Sequence, residues 1–275
     1  MTAYLVTSNP SLPIRSTMNR RKFIATTAIA GATSTTLLKA DHHGKKKAGY
    51  LELIRFVVRN RPAIRPLEKY LGDVVIPGLN KLGCSPIGVF KPKHGSHGAD
   101  LYMLVPHKDM DSFTTAWKKL TATDAFQAAS DTTMEGQLYE RMETTLMSCF
   151  SHMPEVEIPK AVKGVNGRIF ELRIYEAHNR MKSDLKVEMF NEGGEIEIFR
   201  NVGLHPVFFG HSLAGPLMPN LIYMLAFKDI AEREANWKKF SSDPDWAKLR
   251  QNQRYAGTVS NITDIIMTAS SVSQI

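Results

Sequence analysis

Three side chains alternate along residues 168–175 in a pattern that could hold an acidic ligand. Glu171, Arg173 and Tyr175 share one face of a run whose other face is Phe170, Leu172 and Ile174, the two-residue period of a half-buried strand. A guanidinium presents a planar fork that matches a carboxylate. Arg173 is therefore a candidate ligand-holding group, with Glu171 and Tyr175 beside it. The plainer reading is a partly buried Glu171–Arg173 ion pair that fixes sheet register. His205 and His211 flank a second apolar run. Six residues apart on a regular strand, both would point to one face, roughly 20 Å apart, too far for one metal ion. His205 alone could act as a haem-type ligand or an acid/base group, or simply be satisfied by backbone. His94 and His97 lie in the glycine-containing segment 91–100, where no third ligand of a tetrahedral site is evident. His42-His43 reads the same way, so no metal is expected. Trp117 and Trp237 sit at helical spacing with other apolar residues, the usual mark of core packing. Tyr223 and Trp237 complete the ligand-binding candidates. No G-x-S-x-G elbow, P-loop or dinucleotide fingerprint is present. No Ser-His-Asp or Cys-His set is legible either. The catalytic residues stay unassigned, and the reading leans away from an enzyme.

The elements that would carry these residues occur twice. Leu82-Gly83-Cys84-Ser85-Pro86 aligns with Val202-Gly203-Leu204-His205-Pro206, and Trp117-Lys118-Lys119-Leu120 with Trp237-Lys238-Lys239-Phe240, both displaced by 120. Tyr102-Met103-Leu104 matches Tyr223-Met224-Leu225 at 121, and Glu52-Leu53 matches Glu171-Leu172 at 119. So long a period means duplicated domains rather than a solenoid. In the second copy the pattern predicts a strand at 168–175 and a helix over 184–202 weakened by Gly193-Gly194. Strands at 206–211 and 221–227 follow, with a turn between them. Asp229 caps a further helix, Asp243-Pro244 starts another turn, and 262–268 is a last strand. The first copy repeats this order over 50–58, 66–82, 86–90, 101–106, 109–129 and 137–149. The order βαββαβ is the ferredoxin-like split motif. It leaves one sheet face bare, and two such sheets can cover each other. The expected fold class is α+β, with two tandem ferredoxin-like units packed as a pseudo-dimeric α/β barrel. The expected domains are 48–150 and 168–275, joined by a linker at 151–167.

The start of the chain reads as targeting. Of 35 Lys and Arg, five fall in residues 1–40 with no acid, leaving 30 against 27 acids beyond them. A body so near neutrality lacks the basic stripe of a nucleic-acid surface. Asn19-Arg20-Arg21-Lys22-Phe23-Ile24 resembles the twin-arginine export motif. The Thr-rich stretch that follows, 23–38, is too short and polar to span a bilayer comfortably. It predicts a cleavable signal over 1–40, a periplasmic or other extracytoplasmic location, and no transmembrane anchor after cleavage. The true start, Met1 or Met18, stays open. Cys84 and Cys149 make no disulfide framework; both are expected buried and unbonded.

The second copy resembles the NIPSNAP family of the dimeric α/β-barrel group. The resemblance rests on Phe170-Glu171-Leu172-Arg173-Ile174-Tyr175, the Gly215-Pro216 hairpin with Asn220, Ala231-Glu232-Arg233-Glu234, and Asp243-Pro244-Asp245-Trp246. The first copy looks like a diverged one that lacks the Gly-Pro hairpin and the Asp-Pro turn. The resemblance implies an internal pseudo-dimer and brings no settled reaction. The expected function is non-catalytic binding of a small or apolar ligand, or of a protein partner, in clefts between sheet and helices, with no resident cofactor. One alternative is a monooxygenase-like or haem-handling enzyme, with haem as its cofactor. Another is a structural protein that oligomerises through exposed sheet edges.

Overall fold

Strand alternation and two helical layers convert each repeat into a four-stranded sheet with one helix-covered face. The computed structural model describes residues 48–94, 97, 99–133 and 138–275. The expected export signal over 1–40, His42-His43 and the lysine run 45–47 lie outside the described residues. The first half runs β1 (Tyr50–Val57), α1 (Ile64–Tyr70), a π-helical stretch (Leu71–Val75), α2 (Ile76–Lys81), β2 (Gly88–His94), β3 (Leu101–His107), α3 (Met110–Thr121), α4 (Asp124–Thr133) and β4 (Arg141–Cys149). The second runs β5 (Ile169–Glu176), α5 (Arg180–Asn191), α6 (Glu195–Asn201), β6 (His205–Ala214), β7 (Asn220–Phe227), α7 (Ile230–Ser242), α8 (Pro244–Arg250) and β8 (Asn261–Ala269).

The strands close into one barrel in the order β1-β3-β2-β8-β5-β7-β6-β4. The seams between the halves are β2 with β8 and β4 with β6, both antiparallel. The fold is thus two tandem ferredoxin-like units forming a pseudo-dimeric α/β barrel. Closure removes free sheet edges from the described strands, and with them the basis for edge-to-edge assembly.

Alternation sorts the core into three clusters. Leu53, Phe90, Phe170, Leu172, Met224 and Met267 fill the barrel interior. Ile54, Phe56, Leu67, Leu79 and Leu120 pack the first sheet under its helices. Phe190, Phe199, Phe209, Tyr223 and Phe240 do the same in the second half. Among the described residues, no helix is long and apolar enough to cross a membrane.

Two long helices expected from the pattern are each broken. The 184–202 stretch splits at Gly193-Gly194, where Gly194 adopts φ +85°, a left-handed conformation that glycine tolerates. The 109–129 stretch splits into α3 and α4. The 66–82 stretch stays helical throughout by absorbing its π-turn.

Candidate functional site

Glu171 is the centre of the second half's buried polar cluster. It lies on β5 facing the helices, fully buried. Arg173 Nη1 donates to Glu171 Oε1 at 2.8 Å, Arg233 Nη2 donates to the same oxygen at 2.5 Å, and Trp237 Nε1 donates to Oε2 at 2.8 Å. Arg173 also pairs with Asp264 on β8 at 3.1 Å. Its guanidinium lies over the rings of Trp237 and Tyr175, 4.6 and 5.4 Å from their centroids. Burial works against the Arg173 charge, but Tyr223, Tyr175, Glu171 and Asp264 outweigh it and hold the group above its ordinary range. Tyr223 donates to the Tyr175 hydroxyl at 2.9 Å, and burial pushes both phenols up. Just beyond, Lys186 pairs with Glu195 at 2.7 Å, both buried. Of the sequence candidates, Glu171, Arg173, Tyr175, Tyr223 and Trp237 therefore meet in one place. They meet as a packed ion-pair network, because Phe190, Phe199 and Phe209 fill the surrounding space between sheet and helices.

His205 lies apart from this cluster, and the expected His205/His211 geometry is corrected. The β6–β7 register shifts between Pro206 and Phe208, so His205 pairs with Ala226 and His211 with Leu221. The bulge inserts one residue and inverts the alternation. The two imidazoles consequently lie on opposite faces. His211 Nε2 lies 3.1 Å from Ser183 Oγ on α5. His205 opens on a surface cleft of about 500 Å³ with Lys160 and Arg200, and burial lowers its pKa. A porphyrin beneath the helices would need the space that the aromatic rings occupy, so the residues present do not fit haem there and no step through it is derived. His97, expected in a solvated loop, instead holds its Nδ1 2.5 Å from the Tyr102 hydroxyl. No group of three or more metal-ligating side chains gathers among the described residues.

The first half carries a constellation that the sequence reading missed. His107 Nε2 lies 3.2 Å from Glu52 Oε2, its Nδ1 lies 3.5 Å from Cys84 Sγ and 3.2 Å from Ser112 Oγ, and Trp117 Nε1 donates to Glu52 Oε2 at 2.9 Å. A Cys-His pair thus exists, contrary to the expectation of none. Cys84, His107 and the Glu52 that holds the imidazole come from three separated segments, so no spacing signals the pair. The repeat supplied the one available hint. Cys84 aligns with Leu204, and the ladder registers Tyr50 with His107 and Ile169 with Phe227. Two coincident departures from apolar residues at equivalent positions mark the pair. Burial lowers the His107 pKa, but hydrogen bonds to Cys84 and Glu52 overcome this and raise it to about 9. Both cysteines are free and buried as expected.

The family's sequence marks have clear local work. Asn220 accepts from Ser212 Oγ at 2.5 Å and donates to the Pro216 carbonyl at 2.9 Å, stitching the hairpin together. Asp243 caps α8 by accepting from the backbone of Asp245 and Trp246 at 2.9 and 3.0 Å. The family model for NIPSNAP matches residues 51–154 and 170–274. The chain belongs to the NIPSNAP family, with two tandem units. No curated protein matches its sequence. Among solved structures it resembles a candidate monooxygenase from Lactobacillus acidophilus NCFM, with TM-score 0.55 and 10% identity over 81% of this chain and 94% of that one. A candidate monooxygenase from Fusobacterium nucleatum gives TM-score 0.54 and 10% identity over 81% and 93%. A NIPSNAP family protein from Agrobacterium tumefaciens, 20% identical, covers 39% of this chain and 98% of its own, with TM-score 0.34. At such identities the first two likenesses define the fold alone.

Proposed function

We propose that this protein is a non-catalytic NIPSNAP-family binding protein, exported by the twin-arginine route, that holds a small apolar ligand at one end of the barrel. The supporting observation is a cleft of about 280 Å³ lined by Ile158, Pro159, Val162, Phe170 and Ile275, with Arg168 and Lys163 among its polar members. Val162, Phe170 and Ile275 belong to the barrel-interior cluster, so the apolar core of the barrel reaches the surface there. Sites that take small ligands are concave, mainly apolar and marked by a few polar groups. The cleft lies against the linker, away from the aromatic cluster that surrounds Glu171. Arg20-Arg21 and the apolar stretch after them motivate the export reading.

Native mass spectrometry of protein recovered from the extracytoplasmic fraction tests both parts. The expected result is a small apolar adduct on the wild type that is lost in Ile158→Asp, which places a carboxylate in the lining. Recovery only from the cytoplasm would end the export reading. Bare protein in both samples, or an adduct indifferent to Ile158→Asp, would end the ligand reading.

A further inference from the structure

We propose that Cys84 is a reactive thiol, activated by His107 and oxidised to a sulfenic acid by hydrogen peroxide that enters through the cleft beside it. Three observations support this. Glu52 orients one imidazole nitrogen of His107 while the other faces Cys84 Sγ at 3.5 Å, the base–orienter order that activates a nucleophile. A cleft of about 270 Å³ lies next to this group, lined by Gly83 and Ser85 on either side of Cys84 and by Cys149, with the Cys84 thiol and the His107 imidazole fully buried behind that lining. The fold itself does not demand the pair, since the second half builds the same corner from Leu204 and Phe227, both fully buried. Apolar packing at such a site is commonly as stable as a buried polar pair or more so, which leaves the polar pair without a packing rationale.

The step balances simply. The Cys84 thiolate attacks one peroxide oxygen, an S–O bond forms and the O–O bond breaks. The departing hydroxide takes the proton from His107 Nδ1 and leaves as water. Sulfur is oxidised and peroxide is reduced. Cys84 is itself fully buried, which selects so small an oxidant over bulky electrophiles. Cys149 supplies an internal control. It lines the cleft directly, as Cys84 does not, but burial pushes its thiol up to about 12, and among the described residues no imidazole is hydrogen-bonded to it.

The test treats the folded full chain with hydrogen peroxide, removes the oxidant with catalase, unfolds the chain in urea containing dimedone so that the trap reaches buried sulfur, and locates the adduct by peptide mass spectrometry. Cys84 is expected to be labelled ahead of Cys149. Labelling at Cys84 is expected to slow at least about a hundredfold, the lower end of what a positioned acid–base group contributes, in His107→Phe. Glu52→Gln combined with His107→Phe removes the buried charge that the single change strands, and gives the same comparison in a less strained fold. Labelling of Cys149 first, no Cys84 adduct after the wild type is oxidised folded and trapped unfolded, or equal Cys84 rates in the double variant would each overturn the proposal.

Discussion

A buried glutamate on the first strand of each half, Glu52 or Glu171, accepts an indole N–H from the helix above, Trp117 or Trp237. A buried carboxylate needs a counter-charge, and the halves supply different ones. Arg173 and Arg233 serve Glu171. Ile54 and Phe113 stand at the corresponding places of the first half, and His107 serves Glu52 instead. An arginine is charged at every relevant pH, whereas a histidine is not. The folded His107 value of about 9 lies above its ordinary 6.5. Its contribution is therefore complete below about pH 6.5 and is lost as pH rises through about 9, a difference of roughly 3 kcal/mol. Urea midpoints of the wild type should fall between about pH 6 and pH 10, and a His107→Gln variant should lose that slope. A wild-type midpoint that held steady or rose over this range would contradict the assignment. The Glu171–Arg173 pair was legible because both residues lie on one strand two apart. Cys84–His107–Glu52 was not, because loops and strands far apart in sequence bring it together.

At the scale of elements, the family's hairpin shows how a local motif serves a distant contact. Gly215 has φ +144°, and a Cβ there would lie 2.8 Å from Thr145 Oγ1 and 3.0 Å from Thr145 Cα on β4 of the other half. The turn thus combines a conformation that L-residues rarely adopt with a close approach across the seam. Gly215→Ala should cost about 1–3 kcal/mol, read as a lowered thermal midpoint. Gly164→Ala is a useful control, because Gly164 also has positive φ but nothing within 4 Å of the added methyl. Equal losses in the two variants would show that the seam contact contributes nothing. Strand identity and most caps were readable from alternation and from Asp229 and Asp243, whose side chains do accept backbone N–H groups. The bulge near Val207 was not readable. It is set by the two strands that β6 must pair with simultaneously, β4 and β7, and no local propensity reports that.

For the whole molecule, the seams decide behaviour. The second half alone would expose Phe170, Leu172, Phe208 and Met224, together with the edges of β6 and β8. A polypeptide of residues 168–275 should therefore form a homodimer, with β8 of one copy pairing β6 of the other as β8 pairs β2 in the intact chain. Sedimentation velocity showing only monomer across a wide concentration range would contradict this. The sequence by itself determined the duplication, the βαββαβ order and the family, because these rest on periodicity and on short motifs read within one element. It also placed Glu171, Arg173 and Tyr175 on one face. Tertiary structure alone decided that this cluster is packed rather than hollow, that His205 and His211 part company, and that Cys84 meets His107. Those outcomes depend on how side chains from separate segments fill a shared volume, and on registers set between strands, quantities that no single stretch of sequence carries.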